Sequence, residues 1–267
     1  MTHIQPKKSL GQNFLIDHSV IDQIMAAAKL QSDDVVLEIG PGQGVLTEAL
    51  SKKCSKVIAV EIDETLVTLL RNKFKGKKNI EIVTGDILKL NVEKIFTDYQ
   101  LPITGYKVIA NLPYYITSPI IRKFLESEVP PQEMILMVQK EVAERIVAKP
   151  GEMSILAVSV QYYARAEILF PVSKKAFSPV PEVESAVIRI THNAKRITSE
   201  EANKFFRIVR AGFCAKRKTL INNLANSFHI PRGEVEKKVR NAGLDSKVRA
   251  QELSVDDWQK LSALFQK

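Results

Sequence analysis

The alternation of short apolar runs with helical segments constrains the fold of this chain more than any other feature. Five runs of four to six residues are rich in Val, Ile and Leu, and four of them are followed by a helix-forming segment. Such runs are typical of strands buried on both faces, and strands that alternate with helices form a parallel sheet. Two further runs, 168–170 and 186–190, are predicted to be closing strands of this α/β domain. The first five runs are 34–39, 56–61, 80–83, 106–110 and 133–138.

The ends of the first three strands carry residues suited to binding a small molecule. A glycine loop from Gly40 to Gly44 precedes a helix, and its glycines let the backbone turn sharply and approach a ligand closely. Val45 stands at the last glycine position of the dinucleotide fingerprint, which disfavours a nicotinamide or flavin enzyme. Glu61 ends the second strand, where a carboxylate can accept both hydroxyls of a ribose, whereas Asp63 is the better candidate for a helix cap. Asp86 follows the third strand and can accept the amine of an adenine ring, although a Gly-Asp pair alone is more often a turn.

The fourth strand delivers the segment Asn111 to Tyr115 to its carboxyl end, where open α/β sheets bind ligands. Asn111 offers an amide oxygen and an amide nitrogen, Pro113 stiffens the turn, and Tyr114 supplies an aromatic face. The segment therefore predicts a site that holds a planar, amine-bearing ring by its edge and its face.

Two other segments carry candidate binding residues for which the sequence leaves two interpretations. Gln12 and Asn13, which precede a helix capped by Asp17, are either ordinary loop residues or residues that close over the ligand. Phe177 lies in a loop stiffened by two prolines and is either a core residue or the second wall of a pocket for a base.

The carboxy-terminal part of the chain differs from the rest in pattern and in charge. Residues 191–267 hold 16 Lys and Arg against 8 Asp and Glu, which is +8 of the net charge of +9. Four helices without strands are predicted at 198–213, 216–228, 231–242 and 254–266, so we expect an α/β domain over 1–191 and a small all-α domain over 192–267. An excess of positive charge concentrated in one helical domain favours a nucleic-acid partner over a merely solvated basic surface. The candidate RNA-binding residues are Arg210, Lys216, Arg217 and Lys218.

Composition disfavours several other classes of protein. Cys54 and Cys214 lie far apart and form no metal-binding pair, and the four histidines have no ligand spacing, so we expect neither disulfides nor a metal. The amino terminus lacks the apolar region of a signal peptide, and no stretch reaches 18 apolar residues. We therefore expect a cytoplasmic, monomeric protein that does not insert into membranes.

Taken together, these motifs resemble the class I S-adenosylmethionine-dependent methyltransferases, and among them the KsgA-type (RsmA) ribosomal RNA adenine dimethyltransferases. The resemblance covers essentially the whole chain. It implies a Rossmann-like domain with a mostly parallel seven-stranded sheet and helices on both faces, followed by a small all-α domain. The matching segments are 9–15, 38–44, 60–63, 85–86, 111–115 and 177–183.

The resemblance also implies a role for each candidate residue. The cofactor, S-adenosylmethionine, is expected to contact seven residues, with Glu61 at its ribose and Asp86 at its adenine amine. Asn111 and the backbone carbonyl of Leu112 are expected to receive the N6 amine of the target adenosine, while Tyr114 and Phe177 stack on its base. Tyr115 stands where several members of the family carry Asn, so no role is implied for it. The seven expected cofactor residues are Asn13, Leu15, Gly40, Gly42, Glu61, Asp86 and Asn111.

The expected reaction is dimethylation of two adjacent adenosines near the 3′ end of 16S rRNA in the small ribosomal subunit, with a role in subunit maturation. Two alternatives share most of these features. One is the 23S rRNA adenine dimethyltransferase family associated with macrolide resistance, which the Phe177 loop and the carboxy-terminal helices fit less well. The other is a binding factor for ribosome assembly with secondary catalysis. A DNA adenine methyltransferase is disfavoured because the chain has no room for an expanded sequence-reading domain.

Overall fold

A computed structural model describes residues 6–7, 10–193 and 197–265, and it divides into two compact units. The first comprises Met1–Ala143 and Ala166–His192, and the second comprises Glu144–Arg165 and Asn193–Lys267. Ser9 of the amino-terminal motif and residue 266 of the last expected helix lie outside the described residues. The division therefore differs from the expected domains 1–191 and 192–267. The segment 144–165 groups with the carboxy-terminal helices and not with the rest of the first unit.

The first unit is built on a seven-stranded sheet, and this confirms the expected fold class. The strand order is β4-β3-β2-β5-β6-β9-β7, and a separate two-stranded sheet pairs β1 with β8. The pairs β2/β3, β3/β4, β2/β5 and β5/β6 are parallel, whereas β6/β9 is antiparallel. The strands are β1 Phe14–Leu15, β2 Val35–Ile39, β3 Lys56–Glu61, β4 Ile80–Thr84, β5 Lys107–Asn111, β6 Glu133–Gln139, β7 Ala164–Val172, β8 Phe177–Ser178 and β9 Ser185–His192.

Helices follow most of the strands and cover the sheet. All five residues of β2 are buried, and because successive side chains point to opposite faces, both faces of this strand must be covered. The core includes Val36, Ile109 and Val187 from three neighbouring strands. The helices that lie between β1 and β6 along the chain are α1 His18–Ala28, α2 Val45–Ser51, α3 Glu64–Lys73, α4 Val92–Asp98 and α5 Thr117–Leu125, and β6 is followed by α6 Lys140–Ile146 and, in the second unit, α7 Ile155–Tyr163.

Two elements differ from the sequence-based expectation. Helix α4 was not expected, because it is short and buries only Ile95 and Phe96, and it is capped by the Asn91 side chain on Lys94 N at 2.9 Å. Strand β7 begins at Ala164, before the run predicted at 168–170, and α7 ends at Tyr163. A nine-residue run that is half exposed carries a weak signal for a strand, since the alternation of apolar and polar residues is irregular.

The second unit contains four further helices and the segment that carries α7. Tyr162 of α7 stacks on Phe205 with ring centroids 4.0 Å apart, and Trp258 is fully buried. These aromatic contacts explain why the segment 144–165 groups with this unit. The helices are α8 Ser199–Gly212, α9 Leu220–Phe228, α10 Arg232–Asn241 and α11 Val255–Ala263.

The start of α9 corrects the expected helix at 216–228. Residues 216–218 form a turn, and the helix begins at Leu220, whose N–H donates to Val248 O at 2.8 Å. The buried Asn223 side chain donates to the carbonyls of Gly212 and Ala215, and these bonds hold the turn between α8 and α9. Among all helices of the described residues, none is long and apolar enough to cross a membrane.

Candidate active site

A cavity of about 350 Å³ opens at the carboxyl edge of the parallel strands in the first unit. Its wall combines the glycine loop, the ends of β3, β4 and β5, and the amino-terminal segment. This volume lies within the range typical of small-molecule sites. The structure brings together in this wall all ten residues predicted for the cofactor and the target base: Asn13, Leu15, Gly40, Gly42, Glu61, Asp86, Asn111, Leu112, Tyr114 and Phe177.

The glycine loop packs closely against helix α3. Gly44, the residue before α2, has φ +75°, a value that L side chains rarely adopt. A Cβ atom there would lie 2.7 Å from Leu70 Cδ2 and 2.8 Å from Phe74 Cε2. The loop is anchored to the sheet because Gly40 N–H donates to Val60 O at 2.9 Å. Glycine at position 44 therefore lets α2 start directly beside α3 and leaves the loop at the cavity.

Glu61 organises the loop across the sheet edge from β3. Its carboxylate accepts N–H groups from Gly42 at 3.3 Å, Ile62 at 2.9 Å and Asp63 at 3.0 Å. Burial raises the pKa of this carboxyl, and the three N–H donors oppose that shift. A carboxylate offers about four acceptor positions, so Glu61 retains acceptor capacity toward the cavity.

Glu38 lines the cavity although no sequence motif assigned it a role. It is 2% exposed, one residue before the end of β2, and its Oε2 has no hydrogen-bond partner among the described residues. Burial raises the pKa of the Glu38 carboxyl to about 8, with a smaller contribution from the charge of Glu61; nearby Thr47 acts in the opposite direction. The Thr47 hydroxyl is itself buried without a hydrogen bond of good geometry in the described structure. An acidic residue inside a strand of otherwise apolar residues was the available signal.

Asp63 connects the amino-terminal segment to the cavity. It caps α3 through Thr65 N at 3.0 Å, as expected, and also accepts Lys7 Nζ at 2.7 Å and Gln12 Nε2 at 3.0 Å. Although burial acts in the opposite direction, these donors lower the pKa of Asp63. Gln12 Oε1 in turn accepts Lys7 N at 2.7 Å. The segment is therefore held against the residue that lies two positions after Glu61.

Asp86 follows the end of β4 and lines the same cavity. Its Oδ1 accepts Leu88 N at 3.0 Å, and Lys89 Nζ is 3.9 Å from Oδ2. The carboxylate thus forms the turn that the sequence suggested and also lines the cavity. The two interpretations of Asp86 are compatible.

Asn111 ends β5 and has a defined amide orientation. Its Nδ2 donates to Asn13 O at 3.2 Å, so the oxygen of the amide is the end left for a ligand. Leu112 N–H donates to Met137 O at 3.1 Å, and this bond holds the backbone at the end of β6. Tyr115 is 58% exposed, and the edge of its ring lies close to Gly11, where a Cβ atom would be 3.3 Å from Tyr115 Cδ1.

The amino-terminal segment and the Phe177 loop pair as a two-stranded sheet, and the sequence did not predict this contact. Strand β1 pairs antiparallel with β8, in the register Phe14 opposite Ser178 and Leu15 opposite Phe177. Phe177 is 1% exposed and belongs to the core cluster together with Leu15, as its core interpretation expected, and it also lines the cavity. Its stacking on a base stays a prediction.

The four predicted RNA-binding residues lie in the second unit and are exposed. Arg210 is in the last turn of α8, and Lys216, Arg217 and Lys218 are in the turn before α9. Within the described residues, none of the four makes an ion pair, whereas Lys204 pairs with Glu200 at 2.6 Å. The basic group is thus a helix end followed by a turn, not one continuous helical face.

Comparisons with known proteins agree on one family. A family model described as ribosomal RNA adenine dimethylase matches residues 4–267. A protein of Dehalococcoides mccartyi named ribosomal RNA small subunit methyltransferase A is 44% identical over 259 residues, which are 97% of this chain and 88% of that protein.

Two solved structures are similar over nearly the full length. The 23S rRNA methyltransferase ErmE is 28% identical with a TM-score of 0.75, covering 96% of this chain and 100% of that one. A dimethyladenosine transferase from Plasmodium falciparum is 26% identical with a TM-score of 0.76, covering 93% of this chain and 95% of that one.

Proposed function

The chain belongs to the ribosomal RNA adenine dimethylase family, and we propose that it dimethylates the N6 amines of two adjacent adenosines near the 3′ end of 16S rRNA. The relative named as a small-subunit enzyme shares 44% identity with this chain, whereas the 23S rRNA methyltransferase shares 28%. This difference supports the small subunit as the substrate. The proposed setting is the cytoplasm, where the enzyme acts as a monomer on subunits that are still maturing.

Membership of this family implies S-adenosylmethionine as the methyl donor, which supplies a methyl group already activated by its sulfonium. The cavity fits such a molecule in size, at about 350 Å³. It also fits in chemistry, since the buried Oε2 of Glu38 lacks a partner among the described residues and can take one from a ligand. In the proposed complex, Glu61 binds the ribose hydroxyls and Asp86 accepts the adenine amine. Residues 13, 15, 40 and 42 enclose the rest of the molecule.

The orientation of the Asn111 amide is the observation that carries the proposed chemistry. The amine of adenosine is a poor nucleophile because its lone pair is delocalised into the ring, and acceptors that bind its hydrogens draw the amine out of conjugation. Asn111 Nδ2 is occupied by Asn13 O, which directs Oδ1 toward such an amine. The carbonyl of Leu112 is the proposed second acceptor. Holding the amine at this position supplies the placement on which the transfer depends.

Tyr114 is the proposed stacking partner of the target base. Its ring lines the cavity beside Asn111. A base has to leave its stack in the RNA to reach such a cavity, and stacking on an aromatic ring offsets part of that cost, by about 1 to 3 kcal/mol. Arg210 and the turn 216–218 are proposed to contact the RNA backbone, because exposed basic groups without an ion pair among the described residues are available to phosphates.

Incubation with unmethylated small subunits and S-adenosylmethionine, followed by mass spectrometry of the rRNA digest, tests the proposal. We expect dimethyladenosine at two adjacent positions near the 3′ end of the 16S rRNA. Asn111→Ala should abolish the transfer while subunit binding persists, and Asn72→Ala, at an exposed position of α3, is the matched control. Transfer to 23S rRNA in a parallel incubation, with no transfer to small subunits, would favour the 23S alternative. Binding without any transfer by the wild-type protein would favour an assembly factor.

A further inference from the structure

The hydroxyl group of Tyr114 has a partner deep in the first unit. Tyr114 Oη and Ser185 Oγ lie 2.7 Å apart and share one hydrogen bond, in which either hydroxyl can be the donor. Ser185 is 0% exposed, whereas Tyr114 is only partly buried and lines the cavity. The bond therefore joins a residue of the protein interior to the wall of the candidate active site.

Ser185 is held in place by the sheet. It is the first residue of β9, and it pairs with Gln139, the last residue of β6. The preceding Glu184 is anchored twice, since its carbonyl accepts Lys140 N at 3.0 Å and its carboxylate accepts Lys174 N at 2.7 Å. Because β9 runs antiparallel to β6, its amino end lies at the same sheet edge as the carboxyl ends of β5 and β6. Ser185 thus presents a fixed hydroxyl at the edge where Asn111 lies.

Tyr114 stands on a less constrained piece of backbone. It begins a single 3₁₀ turn of three residues, Tyr114–Ile116, which follows Pro113 and has no side-chain cap. A tyrosine on such a turn can rotate about its two side-chain bonds, and a hydrogen bond at the far end of the ring restricts both rotations. Burial also raises the pKa of the Tyr114 hydroxyl, which therefore remains protonated at neutral pH and keeps the bond.

We propose that Ser185 is a positioning residue for methyl transfer, which holds the ring plane of Tyr114 in the orientation that a target base stacks on. The role of Ser185 in the reaction rests on the proposed function, whereas its effect on the orientation of the Tyr114 ring does not. Ser185 touches neither the base nor the cofactor in this scheme. Loss of the hydrogen bond should therefore lower the rate of transfer by about tenfold and leave the affinity for S-adenosylmethionine unchanged.

The test is a double-mutant cycle in single-turnover methyl transfer to unmethylated small subunits. Ser185→Ala and Tyr114→Phe remove the same hydrogen bond from its two ends, so each should slow the transfer by about tenfold and the double variant by no more than either. Calorimetric titration with S-adenosylmethionine should give the same Kd for all proteins. Ser262→Ala, which removes another buried hydroxyl, is the matched control and should retain the wild-type rate. Rate losses that multiply in the double variant, or a Kd that rises with the rate loss, would overturn the proposal.

A second measurement needs no activity. The protein is labelled with 3-fluorotyrosine, and the ¹⁹F signal of Tyr114 is assigned by its absence in Tyr114→Phe. Ser185→Ala should narrow this signal as the ring gains mobility, and Ser262→Ala should not. If Ser185→Ala narrows the signal but the wild-type protein does not methylate subunits, the positioning role is retained and the proposed function is refuted. If the wild-type protein is active but the signal is unchanged in Ser185→Ala, the positioning role is refuted. If Ser185→Ala does not fold, Tyr114→Phe removes the bond from the cavity side, and a wild-type transfer rate in that variant overturns the proposal.

Discussion

Replacing Glu38 with glutamine should change how the stability of the protein depends on pH. In the folded protein the buried carboxyl keeps its proton up to about pH 8, whereas its ordinary pKa is 4.5. Between these values the folded state binds one proton more than the unfolded state, so stability falls as the pH rises through this window. A glutamine side chain has nearly the same shape as the protonated glutamate and cannot ionise, so Glu38→Gln should lack this part of the pH dependence.

The expected size follows from the width of the window. From pH 5.5 to pH 8 the Glu38 contribution changes over about 2.5 pH units, and at 1.36 kcal/mol per unit this is roughly 3 kcal/mol. At an m-value of about 2 kcal/mol/M, the difference between the wild-type and variant urea midpoints should change by about 1.5 M across this range. Other titrating groups contribute equally to both proteins and cancel in the difference.

Urea denaturation followed by circular dichroism is the appropriate assay. The fluorescence of Trp258, the single tryptophan, would report on the second unit, whereas Glu38 lies in the first. Glu48→Gln is the matched control, because Lys73 lowers the pKa of the exposed Glu48 carboxyl, which is therefore already ionised throughout pH 5.5 to 8. Parallel stability curves for wild-type protein and Glu38→Gln over this range would refute the assignment of a neutral buried acid.

Three further predictions concern the glycine loop, the amino-terminal segment and the basic turn. Gly44→Ala should lower the free energy of unfolding by about 2 to 4 kcal/mol in urea denaturation, because of backbone strain and overpacking. Gly76→Ala, also at positive φ but with open space around it, should lower it by about 1 kcal/mol. Equal losses in the two variants would contradict the packing argument. Asp63→Asn preserves a cap for α3 but weakens the bonds to residues 7 and 12 of the amino-terminal segment. Calorimetry should therefore show that S-adenosylmethionine binds about three- to tenfold more weakly. An unchanged Kd would show that these bonds do not contribute to binding of the cofactor. Reversing all three charges at 216–218 should flatten the slope of log K against log salt for RNA binding by about 2, and an unchanged slope would make the turn a solvated surface.

Much of the candidate site could be predicted because of a simple property of parallel sheets. Consecutive parallel strands end at the same edge, so the residues that follow them converge without any knowledge of long-range contacts. Gly40, Glu61, Asp86 and Asn111 each lie at or just after the end of such a strand, and all four line one cavity. The positive φ angles of the loop glycines and the helix cap at Asp63 could also be predicted, since each depends on residues within a few positions along the chain.

Contacts between distant segments depended on the tertiary structure. The pairing of Leu15 with Phe177 and the bond from Tyr114 to Ser185 join residues far apart in sequence, and no local pattern specifies their register. The grouping of the segment 144–165 with the second unit also depends on a distant contact. Its helix has an ordinary apolar sequence, and only the stacking of Tyr162 on Phe205 shows which unit it packs in.

The fold class, the family and ten of the residues around the cavity could be predicted from the sequence, because they depend on periodicity, on motifs and on the order of parallel strands along the chain. The raised pKa of Glu38, the orientation of the Asn111 amide and the partner of the Tyr114 hydroxyl could be read only from the folded structure. Burial and hydrogen-bond geometry control these three properties, and both arise from residues that meet only when the chain has folded.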